Sequence, residues 1–179
     1  MAEALLIIDF QNDFTPGGAL GVDGGDEIAG RLNELAADPR FELVVATRDW
    51  HPPDHGSFTE QGGIWPVHCV AGTLGAELHS GLDRARVDII VDKGEDPAAD
   101  GYSGFEATRL EELLRAHAVE KVTIGGIATD YCVKNTALDA LRLGFGVTID
   151  RDAVRGVDVE PGDSERALDE IRAAGGDVS

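Results

Sequence analysis

The sequence contains little cysteine and lysine and no long hydrophobic run. Its 179 residues include two cysteines, Cys69 and Cys132, too few for the disulfide frameworks that stabilise small secreted domains. We therefore expect a reducing, cytoplasmic location. No apolar run approaches the roughly 18 residues that a membrane-spanning helix needs. The N-terminus is typical of a strand and lacks the basic region of a signal peptide.

Positive charge is also scarce. The chain has 15 lysines and arginines against 34 aspartates and glutamates, which gives a formal net charge of −19. A surface of this sign repels nucleic-acid backbones and anionic membranes. We therefore expect no nucleic-acid or membrane partner and predict a small-molecule ligand, and we leave open whether the chain forms a homo-oligomer.

Short apolar runs rich in β-formers alternate with longer amphipathic stretches. Because the runs do not alternate with polar residues, they are typical of strands buried on both faces of a parallel sheet. The predicted strands cover residues 4–9, 41–47, 87–92, 121–126 and 145–149, and the predicted helices cover 26–37, 104–118, 130–143 and 163–174. This order predicts an α/β fold, a three-layer α/β/α sandwich with a mainly parallel sheet, as a single domain over residues 1–179. A last strand at 177–179 is left open.

One connection differs from the others. The segment 49–85 holds four of the five histidines and both tryptophans. It is too long for an ordinary connection, and long structured loops in compact domains are usually functional. We expect this segment to form a metal-binding region.

Three chemically active residues follow predicted strands. Asp9, Lys93 and Cys132 come at or after the ends of the first, third and fourth strands, and the carboxyl ends of parallel strands form the ligand crevice of such sheets. Cys132 lies at a predicted helix start, with Thr129 or Asp130 as the N-cap, so the helix dipole should lower its pKa. Alone, the cysteine could equally be a small buried hydrophobe. Beside a carboxylate and an amine it indicates a nucleophile.

A second set indicates a metal. Asp49 and His51 lie two apart on an extended segment, so their side chains share a face. With His68 they make a set of one carboxylate and two imidazoles, which suits zinc, iron or manganese and leaves positions open for water or substrate. His55 is interpreted as an outer partner of this set, and Cys69, which should point the other way, as a packing residue.

Six motifs together resemble the nicotinamidase/pyrazinamidase branch of the isochorismatase-like cysteine hydrolases. They are IIDFQNDF at 7–14, TRDWHP at 47–52, WPVHCV at 65–70, DKG at 92–94, YSGF at 102–105 and GIATDYCV at 126–133. The resemblance implies a catalytic triad of Asp9, Lys93 and Cys132 and one divalent transition metal, zinc before iron or manganese, on Asp49, His51 and His68.

The resemblance also implies the surroundings of the substrate. It implies an oxyanion hole from the backbone amides of Ala128 and Cys132, with a cis peptide before Ala128. It further implies a substrate site that includes the side chains of Phe14, Trp65, Tyr102 and Ile127.

The function implied is hydrolysis of nicotinamide to nicotinate and ammonia through a cysteine thioester, in NAD salvage, with pyrazinamide as a further substrate. One alternative is an amidohydrolase of the same superfamily for another small amide, such as a carbamoyl compound. A second is isochorismatase, whose vinyl-ether hydrolysis needs neither Cys132 nor a metal. A third, from another class, is a catalytically idle metal-binding module.

Overall fold

The computed structural model describes residues 1–179 and contains one sheet of six strands. All five neighbouring pairs are parallel, in the order β3-β2-β1-β4-β5-β6. The strands are β1 (Ala2–Ile8), β2 (Phe41–Asp49), β3 (Ile89–Lys93), β4 (Val119–Ile127), β5 (Gly146–Arg155) and β6 (Asp177–Val178). The predicted parallel sheet is confirmed, and the segment left open at the end of the chain forms its sixth strand.

Four α-helices cover the two faces of the sheet. They are α1 (Ala29–Ala36), α2 (Leu110–Ala116), α3 (Lys134–Arg142) and α4 (Asp163–Ala173). Leu110, Ala137 and Leu168 of the last three helices share one apolar cluster with Leu6 of β1, whereas Leu32 of α1 belongs to the cluster on the opposite face. The predicted three-layer α/β/α architecture is confirmed. No helix in the chain has both the length and the apolar content required to cross a membrane.

Three helices begin later than predicted. The helix predicted at 26–37 begins at Ala29, after a 3₁₀ turn at Gly25–Ile28, and the other two differ more. The one predicted at 104–118 begins only at Leu110, whose amide donates to the Thr108 hydroxyl at 3.2 Å. A threonine side chain that accepts from the backbone in this way favours a helix start over a helix interior. The helix predicted at 130–143 is replaced at its start by a π-helical turn, Thr129–Val133, before α3. Both of these larger differences lie beside the carboxyl edge of the sheet.

The connection from β2 to β3 contains no α-helix. It is built from short 3₁₀ turns, among them Thr59–Gln61 and Leu74–Ala76. Isolated bridges pair His51 with Val70 and Phe58 with Trp65, so the segment folds back on itself above the sheet. This arrangement brings His51, His55 and His68 together at the same edge at which β1, β3 and β4 end.

Candidate active site

Asp9, Lys93 and Cys132 form what we call the thiol cluster. Asp9 follows β1 and has a left-handed backbone with φ of 47°, which a non-glycine residue rarely adopts. Lys93 is the last residue of β3, and Cys132 lies in the π-helical turn after β4. All three side chains are buried. The strand ends therefore meet as the sequence predicts.

The Lys93 ammonium is the centre of the cluster. Its Nζ lies 2.8 Å from Asp9 Oδ2 and 3.4 Å from Cys132 Sγ, and it also donates to the Gly101 carbonyl at 2.8 Å. Ligand atoms of Asp9, Asp49 and Cys132 lie within 4.8 Å of one another. Because the ammonium lies among them, this group is an acid–base cluster and not a second metal site.

The electrostatics of the cluster correct one expectation. Burial raises the pKa of the Cys132 thiol well above its usual value, and the nearby Lys93 ammonium only opposes this effect. The predicted lowering by the helix terminus is thus wrong, because desolvation beside two carboxylates prevails. Burial likewise raises the pKa of Asp9, against the opposing effect of Lys93. The resting thiol is therefore protonated, and its neighbouring carboxylate is tuned towards accepting a proton.

Thr47 fixes the Asp9 carboxylate and was not identified from the sequence. Its hydroxyl donates to Asp9 Oδ1 at 2.7 Å. The Asp9 amide in turn lies 3.2 Å from both the carbonyl and the hydroxyl oxygen of Thr47. These contacts hold the left-handed residue against β2 and turn its side chain towards Lys93.

Asp49, His51 and His68 form what we call the ligand cluster. Asp49 Oδ2 lies 3.3 Å from His51 Nε2 and 4.0 Å from His68 Nε2. The Nδ1 atom of each ring is 2.7 Å from a backbone carbonyl, that of Gly94 for His51 and that of Pro66 for His68. Bonds of this kind fix the tautomer and aim the Nε2 lone pairs of metal-binding histidines. The donor set and its spacing fit a divalent metal ion.

His55 lies next to this cluster. Its ring stacks on that of His51 with a centroid distance of 3.9 Å, and its Nδ1 contacts the Ser57 hydroxyl at 2.7 Å. Its Nε2 is buried and has no hydrogen-bond partner. Cys69 is buried, and its amide donates to Asp13 Oδ2 at 2.8 Å. Its thiol belongs to neither cluster.

Asp49 joins the two clusters. Its Oδ2 faces the histidines, while its Oδ1 accepts from Lys93 Nζ at 2.6 Å. Burial alone would raise the pKa of Asp49, but Lys93 and His51 outweigh it and lower that pKa. A permanently charged carboxylate therefore belongs to both halves of the site.

A pocket opens above both clusters. It encloses about 340 Å³ including its mouth. Its lining includes Asp49, His68, Cys132 and the aromatic residues Phe14, Trp65, Tyr102 and Tyr131, with Leu20, Ala128 and Val157 completing the wall. The structure thus brings three of the four expected substrate residues to the pocket.

The fourth residue lies elsewhere. Ile127 is buried in the apolar cluster on the α1 face and does not line the pocket. Tyr131 takes a place in the wall instead. Its position beside Cys132 in the sequence was the only signal that could have found it, whereas nothing local indicated Leu20 or Val157.

The backbone before Cys132 has an unusual form. The peptide bond between Ile127 and Ala128 is cis, as the resemblance implies. The Ala128 carbonyl accepts from the amides of Tyr131 and Val133 at 3.1 and 3.0 Å. The Ala128 amide makes no hydrogen bond within the chain, which leaves it free for a ligand at the pocket floor.

Neither Thr129 nor Asp130 caps the helix as expected. The N-terminal flank of the π-helical turn is Ala128, without a side-chain cap. The Asp130 carboxylate instead accepts from the amides of Val157 and Asp158, each at 2.9 Å. It thereby fastens the segment that carries Val157 to the turn that carries Cys132.

Comparison with known proteins gives consistent matches over nearly the whole chain. The family model "Isochorismatase domain" matches residues 3–179. The nicotinamidase of Escherichia coli is 42% identical in an alignment 195 residues long, gaps included, which covers 96% of this chain and 92% of that protein. The crystal structure of pyrazinamidase of Pyrococcus horikoshii in complex with zinc is 48% identical, with a TM-score of 0.91 and coverage of 100% of this chain and 99% of that chain. The structure of PnC1 from L. infantum in complex with nicotinate is 37% identical, with a TM-score of 0.94 and coverage of 99% and 92%.

Proposed function

This chain belongs to the isochorismatase family, and we propose that it is an amidohydrolase that converts nicotinamide to nicotinate and ammonia. The observation that carries the proposal is the buried contact of Lys93 with both Asp9 and Cys132 beside an aromatic pocket. A thiol, a carboxylate and an ammonium in contact are the parts of an activated nucleophile with its base. The pocket lined by Phe14, Trp65 and Tyr102 suits a flat ring.

The first half of the reaction forms a thioester. Asp9 takes the proton of the Cys132 thiol, and the sulfur attacks the carboxamide carbon while the carbonyl electrons move to oxygen. The free Ala128 amide and the Cys132 amide receive this oxyanion, a type of contact worth about 2.7–4 kcal/mol. The C–N bond then breaks, and Asp9 delivers its proton to the departing nitrogen as ammonia leaves.

The second half releases the acid. Asp9 takes a proton from a water molecule, whose oxygen attacks the thioester carbon. The C–S bond breaks, and the sulfur regains a proton from Asp9, so that nicotinic acid leaves and the thiol is restored. The acid then loses its carboxyl proton to the released ammonia or to water and becomes nicotinate. Throughout, the Lys93 ammonium holds Asp9 and compensates its charge, since the two groups lie 2.8 Å apart without solvent.

The ligand cluster supplies the other part of the proposal. Asp49, His51 and His68 would hold one divalent transition metal, with zinc as our first choice because the set suits it and a pyrazinamidase relative carries it. When bound, such an ion supplies an open Lewis-acid position for a ring nitrogen. A ring held in this way has less freedom to lose on reaching the transition state.

The same site should accept pyrazinamide, which carries its ring nitrogen at the same distance from the carboxamide. In the cell, the reaction would return nicotinamide to NAD salvage. One alternative is an amidohydrolase for another small amide, such as a carbamoyl compound. Such a substrate lacks the flat ring that fits between the aromatic side chains of the pocket. An idle module would not need a buried base in contact with a buried thiol.

The test is ammonia release from the purified, zinc-loaded chain. We expect turnover of nicotinamide and pyrazinamide and little from an aliphatic carbamoyl substrate. The reverse ranking would favour the other amidohydrolase, and no ammonia from any substrate would favour the idle module. Trapping of a thioester by mass spectrometry after rapid quenching would tie turnover to Cys132.

A further inference from the structure

The ladder between β1 and β2 ends before β2 does. The last paired residues in register are Ile7 and Ala46, and beyond them β1 leaves the sheet through the left-handed Asp9. Strand β2 continues to Asp49, which pairs with Lys93 of β3 on its other side. The backbone of Asp49 that faces β1 therefore has no strand partner, although buried backbone groups require one.

The side chain of Gln11 takes the place of the missing strand. Its Oε1 accepts from the Asp49 amide, and its Nε2 donates to the Asp49 carbonyl, both at 2.8 Å. The second Nε2 proton goes to the Ala76 carbonyl, also at 2.8 Å. Gln11 is fully buried, and its carboxamide makes two of these three bonds to the backbone of Asp49 and the third to Ala76.

We propose that Gln11 is a positioning residue for the ligand cluster, which sets the Asp49 carboxylate at the geometry that binds the metal. This inference rests on the proposed metal site. Gln11 touches no ligand atom itself, but both backbone bonds go to Asp49, whose carboxylate lies between Lys93 and His51. With the amide pair removed, the end of β2 is held only from the β3 side, and the Lys93 ammonium alone resists a tilt of the carboxylate away from the histidines.

The bond to Ala76 adds the second ligand-bearing segment. Ala76 belongs to the same β2–β3 connection as His68. Backbone bonds of Asn12 with Glu77 and of Phe10 with His79 hold this part of the connection beside Gln11. Gln11 thus fastens the connection and the strand end to each other through one side chain. Because both strand-like bonds of Gln11 go to a residue of the ligand cluster, their loss should affect metal binding as well as the fold.

The experiment compares two glutamine-to-glutamate changes. Gln11→Glu keeps the shape but replaces the donor nitrogen by an oxygen that faces two carbonyls. Gln61→Glu makes the same change at an exposed residue and is the control. Zinc alone is titrated into each metal-free protein against a competing chelator, with the melting temperature measured in parallel. We also test Gln11→Met, which removes the bonds without adding charge.

We expect Gln11→Glu and Gln11→Met to raise the zinc Kd about 10- to 100-fold, the range for loss of an outer partner of a metal ligand. Gln61→Glu should match the wild type, and excess zinc should restore most turnover to the Gln11 variants. An unchanged Kd in folded Gln11 variants overturns the inference, whatever happens to the melting temperature. Failure of both variants to fold also overturns it, because it assigns Gln11 to the fold alone. If the wild type itself binds no zinc, the proposed metal site fails first and this inference with it.

Discussion

The thiol cluster and the ligand cluster share one edge of the sheet, but different bonds hold them there. Lys93 and Asp9 lie at strand ends, and Cys132 lies in the π-helical turn that follows a third strand. The two histidines of the ligand cluster belong to the β2–β3 connection, where single backbone contacts hold them, such as the His51 amide on the Cys69 carbonyl at 2.9 Å. Strand ends thus place the thiol cluster and Asp49, whereas bonds within a loop place the two histidines of the ligand cluster.

This difference suggests a division of labour. Parallel ladders fix position through many cooperative bonds, so a reacting thiol and its base gain rigidity from the sheet. A loop can adjust its histidines around an ion, whose binding then supplies the rigidity. The two groups meet at one contact, Lys93 Nζ on Asp49 Oδ1 at 2.6 Å. The predictions below test whether a change in one cluster, or in the pocket beside it, leaves the properties of the other cluster unaltered.

The largest expected effect is on the thiol cluster alone. Cys132→Ala should lower kcat/KM for nicotinamide by about 10⁴-fold or more, since loss of a covalent nucleophile leaves only binding and oxyanion contacts. Zinc content should stay at one ion per chain. Ammonia release and metal analysis check both statements.

Cys69→Ala is the matched control, because Cys69 is equally buried but outside the cluster. It should keep activity within a few-fold. Turnover of Cys132→Ala within tenfold of the wild type would refute the covalent mechanism, and loss of zinc would refute the separation of the clusters.

The next effect concerns the ligand cluster alone. His68→Ala should raise the zinc Kd by more than about 100-fold, because removing a ligand exceeds the 10- to 100-fold loss from an outer partner. The thiol cluster should survive, so the rate at which an iodoacetamide-type reagent alkylates Cys132 should change little. Isothermal titration and mass spectrometry measure the two quantities.

His117→Ala, at an exposed histidine, controls for the loss of any imidazole and should leave both quantities unchanged. Wild-type zinc affinity in His68→Ala would remove this residue from the metal site. A large change in alkylation rate would show that the two clusters are coupled more strongly than one ion pair suggests.

The sequence predicts the thiol cluster better than its supports. A single topological rule, that parallel strands end at one edge, brings Asp9, Lys93 and Cys132 together. The spacing of Asp49 and His51 indicated the ligand cluster, the resemblance implied the same set with His68, and the sheet and its layers followed from apolar runs. These features depend on strand order, which is visible in the chain.

The residues that hold the clusters in place, Gln11, Thr47 and Asp130, depend on local geometry that no sequence pattern indicates. Gln11 and Thr47 act only because β1 leaves the sheet at a left-handed residue, and this φ of 47° at Asp9 has no glycine to signal it. Asp130 has the sequence context of an N-cap but bonds a distant turn. The direction of the Cys132 pKa shift was missed because burial depends on the whole fold. Side-chain to backbone bonds between remote segments were therefore beyond prediction.

A smaller effect tests what the ligand cluster recognises. Benzamide has the carboxamide and nearly the shape of nicotinamide but no ring nitrogen. If the nitrogen contributes a contact of about 2–3 kcal/mol, benzamide should lose roughly 30- to 150-fold in kcat/KM. If aromatic stacking alone held the ring, at about 0.5–1.5 kcal/mol, the two substrates should have similar kcat/KM values. Benzamide within tenfold of nicotinamide on zinc-loaded protein would remove the ligand cluster from substrate recognition and leave the thiol chemistry standing.

The smallest effect concerns the side of the pocket formed by Val157, which belongs to neither cluster. Asp130 holds the Val157 segment against the turn of Cys132 through two charged hydrogen bonds, and hydrogen bonds to charged groups contribute about 1.5–3 kcal/mol each to stability. In Asp130→Asn, one of these two amides faces an NH₂ group in place of an acceptor. We expect the free energy of unfolding to fall by about 1–3 kcal/mol.

The same substitution should affect binding more than chemistry. A looser Val157 wall should raise KM for nicotinamide about three- to tenfold, because the ring loses packing on one side, whereas kcat should change less than twofold while the thiol cluster is intact. Asp152→Asn, at an exposed aspartate, removes the same charge and should change neither constant. A three- to tenfold fall in kcat with KM unchanged would mean that Asp130 positions Cys132 and not the pocket wall. Asp130 would then belong with the thiol cluster.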